Sequence, residues 1–278
     1  MEVTLQAADG YRLGATLYRP ETANGCALQI SSAAGVRQEY YAKFAAYFAA
    51  RGFSVLTFDY RGVGRSRYAD VRTAPARLAD WAELDASAAL DFLARESDRV
   101  MAAGHSFGGA SFGLVRGAER FAALFAVGSQ SCYWRHWHGL WRPGIWLLTR
   151  ALLPGATRLC GYFPGAALGQ GENLPPRVAL DWAAACSEPD YLAAGARERF
   201  ARLRAPLRLY SVIDDVYAPP AAVDALALLY PNAAREVKRL APADVGEPTL
   251  GHFGFFRERF RDTLWRDAHD WLIRWRQA

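Results

Sequence analysis

Three side chains of this chain have types and positions that could break an acyl bond: Ser106, His252 and Asp215. Ser106 lies in Gly104-His105-Ser106-Phe107-Gly108. The apolar run Arg99-Val100-Met101-Ala102-Ala103 precedes it, and the small residues Gly109-Ala110-Ser111-Phe112-Gly113-Leu114-Val115 follow. The first run predicts a buried strand and the second a helix. A serine with glycines two places to either side, at a turn from strand to helix, predicts a nucleophile elbow. Only glycine-sized neighbours let the two elements pass so closely, and the serine backbone is expected to be strained. Its hydroxyl is expected to stand above the sheet, within reach of a base and a substrate.

An unassisted alcohol is a weak nucleophile, so Ser106 needs a base. Of the five histidines, His105 is adjacent but is expected to point away and pack. His136 and His138 have an H-x-H spacing without a third ligand, so no metal site is expected there. His269 stands in the C-terminal helix beside charged neighbours and is expected at the surface. His252 follows the last predicted strand in Thr249-Leu250-Gly251-His252-Phe253-Gly254. Its flanking glycines let the imidazole swing over the sheet edge, and it is the expected general base. A carboxylate must orient that imidazole. The strand Leu207 to Ile213 delivers Asp214-Asp215 to the carboxyl edge of the sheet. Asp215 is preferred for its interval to Pro219, and Asp214 stays open as the alternative.

The elements that position these groups can be read from periodicity. Val3 to Gln6 and Leu13 to Tyr18 flank Asp9-Gly10 and predict a hairpin. Cys26 to Ile30, Phe53 to Phe58, the elbow strand, Phe121 to Val127, Leu207 to Ile213 and Glu236 to Leu240 predict further strands. Helices are predicted over Tyr40 to Arg51, about residues 76 to 96, and Phe260 to Trp275. Alternation of strands and helices predicts an α/β fold: a mostly parallel eight-stranded sheet with helices on both faces.

From Gln130 to about Arg199 no strand is evident, and Pro, Gly and Trp are frequent. So long a connection predicts a structured insertion. It is expected to be a helical cap over residues 130–199, with the core formed by 1–129 and 200–278. Trp134, Trp137 and Trp141 have i, i+3, i+7 spacing and predict one shared helical face. That face is expected mainly to pack the cap on the body. Trp134 and Trp137 are the candidates to line an apolar acyl pocket.

With 52 % hydrophobic and 22 % charged residues among 278, the composition is that of a globular chain with a sizeable core. The formal charge of +5 is mostly arginine, scattered among acidic residues, so no nucleic-acid partner is expected. No apolar run is long enough to span a bilayer. Met1-Glu2-Val3-Thr4-Leu5-Gln6 has neither the basic nor the apolar region of a secretory signal. Cys26, Cys132, Cys160 and Cys186 are widely spaced and read as reduced packing residues. A cytoplasmic location is expected.

Asp59-Tyr60-Arg61-Gly62-Val63-Gly64-Arg65-Ser66 resembles the D-x-R-G-x-G-x-S signature of the α/β-hydrolase superfamily. Asp214-Asp215 with Ala218-Pro219, Pro242-Ala243-Asp244 and Gly251 to Arg257 resemble a bacterial group of predicted, poorly characterised serine α/β hydrolases. The order Ser106, Asp215, His252 is also that superfamily's triad order. The resemblance covers nearly the whole chain and implies the α/β-hydrolase fold and a Ser-His-Asp triad. Two departures stand out. Many members carry His-Gly after the third strand, where this chain has Ser32-Ala33-Ala34-Gly35; many also have a glycine shortly before the triad acid, where it has Ser211-Val212. The expected oxyanion donors are the backbone N–H groups of Phe107 and Ala34.

The expected activity is that of a serine hydrolase cleaving a small-molecule carboxylic ester or thioester with an apolar acyl group. No metal or organic cofactor is required. An acyltransferase using the same triad, and a silent binding protein on the same fold, are the competing expectations.

Overall fold

The computed structural model describes residues 1–189 and 195–276. Eight strands form one sheet: β1 (Glu2–Gln6), β2 (Arg12–Tyr18), β3 (Cys26–Ser31), β4 (Ser54–Phe58), β5 (Arg99–His105), β6 (Phe121–Val127), β7 (Leu207–Val212) and β8 (Arg235–Leu240). Their spatial order is β1-β2-β4-β3-β5-β6-β7-β8. The β1–β2 and β2–β4 pairs are antiparallel, and every other pair is parallel. Each strand predicted from the sequence is present, with ends moved by a residue or two.

Central strands of a parallel sheet are covered on both faces, so they read as continuous apolar runs. β3 and β7 are buried at every position. Successive residues nevertheless point to opposite sides. Ala27, Val100, Leu124 and Leu209 join one core layer, with Trp81 and Leu90. Their successors Leu28, Met101, Phe125 and Tyr210 join the other, with Phe44 and Trp265. Phe44 meets Phe256 and Trp265 edge-on, with ring centroids 5.2 and 5.3 Å apart. Truncating Phe44 to alanine would cost about 3–5 kcal/mol.

The loop after β4 is a polar clasp. Asp59 is buried, and its carboxylate accepts the N–H groups of Gln38 (2.8 Å) and Arg65 (2.9 Å). Ser66 donates its hydroxyl to the Asp59 carbonyl at 2.7 Å and accepts the Gly14 N–H at 2.9 Å. Arg61, also buried, bridges Asp85 (2.8 Å) and Asp9 (2.6 Å). A Cβ on Gly64 would stand 2.6 Å from the Asp59 carboxylate, so the motif's second glycine is dictated by space. The D-x-R-G-x-G-x-S residues thus tie β4 to the hairpin and to residues 38–41.

Three helical expectations are corrected. The helix predicted after the elbow is one short turn, Phe107–Ala110, followed by a 3-10 turn, Phe112–Leu114. Gly113 is occupied from outside: a Cβ there would lie 2.4 Å from the Phe200 ring, so helix Arg197–Arg202 packs where a longer helix would pass. The tryptophans do not share a helical face. Trp134 is in the 3-10 turn Trp134–His136, Trp137 is extended, and Trp141 opens the separate helix Trp141–Leu147. Gly139 at φ +55° breaks the run between them. His269 is half-buried instead of exposed, its ring packed on Phe48 and Phe53.

Between β6 and β7 the described residues form helical pieces, among them Trp141–Leu147, a π turn Leu148–Leu152, Leu153–Cys160 and Pro176–Ala185. Phe163 and Leu174 form an isolated antiparallel bridge. Cys132 and Cys186 are buried together with Ala185, and all four cysteines are free thiols. No described helix is long and apolar enough to cross a membrane.

Candidate active site

The carboxyl ends of β3, β5, β7 and β8 carry the loops with Ala34, Ser106, Asp215 and His252, so one sheet edge presents all four. Between β3 and β5 the chain changes direction across the sheet, the place where open α/β sheets form ligand crevices.

Ser106 follows β5 directly. Its φ of 53° and ψ of −118° make it the only non-glycine residue with positive φ among the described residues. That conformation costs about 1–3 kcal/mol and persists only where the surroundings impose it. Here the surroundings are visible. A Cβ on Gly104 would lie 2.4 Å from Gly109 Cα, and one on Gly108 would lie 2.2 Å from the Ser31 carbonyl. A Cβ on Gly109 would meet Ser129 Oγ at 2.3 Å. The Ser106 N–H is held by the Val127 carbonyl at 2.9 Å. Strand, elbow and neighbouring strands are therefore in backbone contact.

Asp215 is buried and faces His252: its Oδ2 is 2.7 Å from His252 Nδ1. Its Oδ1 accepts the N–H groups of Tyr217 (2.8 Å) and Ala218 (3.0 Å), which fixes the carboxylate plane. A carboxylate that already accepts two N–H bonds binds the protonated Nδ1, leaving Nε2 with the free lone pair. Asp214 does something else. Its two oxygens accept the backbone N–H groups of Leu250 (2.9 Å) and Gly251 (3.0 Å), tethering the loop that carries His252. Gly128, at φ +57°, forms the floor: a Cβ there would stand 3.0 Å from Asp215 and 3.1 Å from His252.

Phe107 begins the short helix, where backbone N–H groups have no partner within the helix. Its ring packs edge-on against Tyr60 and Trp81. Ala34 is half-buried in the loop after β3. In that loop the Ala33 N–H is taken by Tyr41 Oη at 3.0 Å. The Gly35 carbonyl accepts the Glu172 N–H at 2.8 Å, so residues from the β6–β7 connection lie on this loop.

A family model described as serine aminopeptidase, S33 matches residues 31–129, which hold the signature loop and the elbow. Three solved structures are similar over almost the full chain. A thermophilic esterase from Thermogutta terrifontis has TM-score 0.65 and 16% identity, covering 100% of both chains. A soluble variant of monoglyceride lipase from Saccharomyces cerevisiae has TM-score 0.67 and 15% identity, covering 99% of this chain and 96% of the other. The enol-lactonase from Burkholderia xenovorans has TM-score 0.61 and 17% identity, covering 98% and 100%.

The chain has the α/β-hydrolase fold.

No curated protein matches it. Within this fold, the hydrogen bonds made by His105, which packs as expected, and by Tyr41 went unread in the sequence. His105 is buried, with Nδ1 2.7 Å from Tyr41 Oη and Nε2 3.0 Å from the His252 carbonyl. A carbonyl can only accept, so Nε2 carries the proton and Nδ1 accepts from the tyrosine. Burial, with the His252 imidazole beside it, pushes His105 well below the ordinary histidine range. Burial likewise pushes the Tyr41 phenol well above its usual value. Both are neutral, as the bonds require. Residue type gave no signal, because the partners lie far apart in sequence.

Trp137 is buried and donates its indole N–H to the Val216 carbonyl at 2.8 Å, one residue past Asp215. Trp134 is only partly buried, with Arg135 and Arg142 over its ring, and borders a surface groove with Pro143 and Trp146. The two predicted pocket residues therefore occupy different surroundings.

Proposed function

We propose that this protein is a serine hydrolase that cleaves a carboxylic ester or thioester with an apolar acyl group. The observation that carries the reading is the Asp215–His252 hydrogen bond at the same sheet edge as a strained serine. Relatives of the same fold include proteins described as an esterase, a monoglyceride lipase and an enol-lactonase.

In this reading Ser106 Oγ attacks the substrate carbonyl and its proton passes to His252 Nε2. The imidazolium formed is stabilised by Asp215 through Nδ1–H. The negative charge moves to the former carbonyl oxygen, where the N–H groups of Phe107 and Ala34 hold it. Collapse breaks the bond to the leaving group, which takes the proton from His252. Water then repeats the sequence on the acyl-serine and releases the acid. Residues 130–199 serve as the cap, with Trp137 as apolar wall beside the triad acid and Trp134 as a further contact for the acyl chain.

A fluorophosphonate probe tests the nucleophile: it should label the folded protein at Ser106 and leave Ser106→Ala unlabelled. p-Nitrophenyl esters of increasing acyl length test the pocket, with preference expected above acetyl. No labelling of folded protein would overturn the reading. Transfer to an added alcohol outrunning hydrolysis would make it an acyltransferase.

A further inference from the structure

Residues 141–160 are helical almost without a break, through Trp141–Leu147, Leu148–Leu152 and Leu153–Cys160. At 1.5 Å per residue that is a rod about 30 Å long. Its inner side carries little apolar bulk: the buried positions are Thr149, Leu153, Pro154 and Thr157, two of them threonines. The bulk faces water. Trp141, Leu148, Leu152 and Leu159 are exposed at 55%, 38%, 56% and 88%, with Ile145 completing the 4-3-4 spacing between the first three. A continuous apolar stripe of this size on the outside of a folded chain marks a docking surface.

Charge identifies what docks. From 121 to 171 the sequence contains no Asp or Glu, while Arg142, Arg150 and Arg158 punctuate this helix and are exposed. Leucine and tryptophan on the outer face, with arginine as the charged type, are the signature of a helix lying in a lipid interface. A second copy of the chain fits less well. A two-fold contact through this face would set arginines against arginines, with no carboxylate in the segment to neutralise them.

We propose that the outward face of helix 141–160 docks on the surface of an anionic phospholipid bilayer, with Trp141, Leu148, Leu152 and Leu159 entering the headgroup region and the arginines meeting lipid phosphates. Docking there requires nothing of Ser106. It would bring the β6–β7 connection, and with it the site it overlies in the proposed function, to a membrane.

Co-sedimentation of the full chain with vesicles tests this. Binding is expected on phosphatidylcholine mixed with phosphatidylglycerol, to weaken as salt rises, and to be slight on phosphatidylcholine alone. The triple variant Leu148→Ser, Leu152→Ser, Leu159→Ser should bind at least about tenfold more weakly, since it removes three apolar side chains from the lipid interface. Arg150→Glu with Arg158→Glu should also bind at least about tenfold more weakly, since attraction to anionic lipid becomes repulsion. Circular dichroism of both variants establishes their fold, and either one suffices. Ser106→Ala should bind as the unaltered protein does, which separates docking from catalysis. The proposal is overturned if the chain ignores mixed vesicles at low salt, or binds both vesicle types equally. Unchanged binding by a folded variant would also overturn it. So would a dimer in sedimentation equilibrium that the leucine variant abolishes while vesicles stay unbound.

Discussion

His105 Nε2 donates to the main-chain carbonyl of His252 across 3.0 Å, so the residue before the elbow serine holds the backbone of the proposed base. The same ring accepts from Tyr41, whose oxygen accepts from Ala33 in the loop after β3. One neutral chain of bonds thus joins three loops of the site. Tyr41→Phe leaves the Ala33 N–H and His105 Nδ1 without a partner. It should lower stability by about 1–3 kcal/mol in a denaturant titration and reduce kcat more than it raises KM.

Stability should depend on pH through His105. Its native pKa lies well below the unfolded value of about 6.5, so below that pH the unfolded chain takes up a proton that the native state refuses. The contribution is complete above about pH 6.5 and is lost as pH falls toward the depressed native value, at about 1.4 kcal/mol per pH unit. Denaturant titrations between those limits check this. His105→Gln keeps one donor and one acceptor but does not titrate, and its stability should fall less steeply by that amount. Parallel slopes for the two proteins would refute it.

Asp215 and Asp214 should separate cleanly. Asp215→Asn keeps a similar shape but removes the charge that fixes the imidazole tautomer, and kcat should fall by about 10⁴. Asp214→Asn touches only the Leu250 and Gly251 N–H groups, so it should lower Tm while sparing most of kcat. Steady-state kinetics beside thermal melts distinguish the two.

Ser106→Gly should be more stable than the unaltered protein. Glycine adopts φ 53° freely, which releases about 1–3 kcal/mol of strain against an entropic cost of about 0.5–1 kcal/mol. Hydrolysis should disappear while Tm rises.

Gly108→Ala should behave oppositely. Its Cβ would meet the Ser31 carbonyl at 2.2 Å, a backbone atom with nowhere to move. Overpacking of about 1–3 kcal/mol or more is expected, together with lost fluorophosphonate labelling as the elbow shifts.

The sheet was legible in the sequence because buried parallel strands are apolar runs between turn residues, as in Leu28 to Ile30 and Phe121 to Val127. The elbow was legible too, since glycines at 104, 108 and 109 leave few other geometries. Local rules end where contacts span the chain. The interval to Pro219 favoured Asp215 but left Asp214 open, and only the register of β7 beside β8 turns Asp215 to His252 and Asp214 to the loop backbone. Periodicity placed three tryptophans on one helix, but φ +55° at Gly139 separates them. A stripe such as Trp141, Ile145, Leu148 and Leu152 shows that a helix has an apolar face; tertiary packing turned that face to solvent, with Thr149 and Leu153 inward. Residue types and spacing therefore determined which groups could react. The folded chain alone decided which of them meet, because hydrogen bonds between residues over a hundred positions apart, such as His105 to His252, leave no pattern in neighbouring letters.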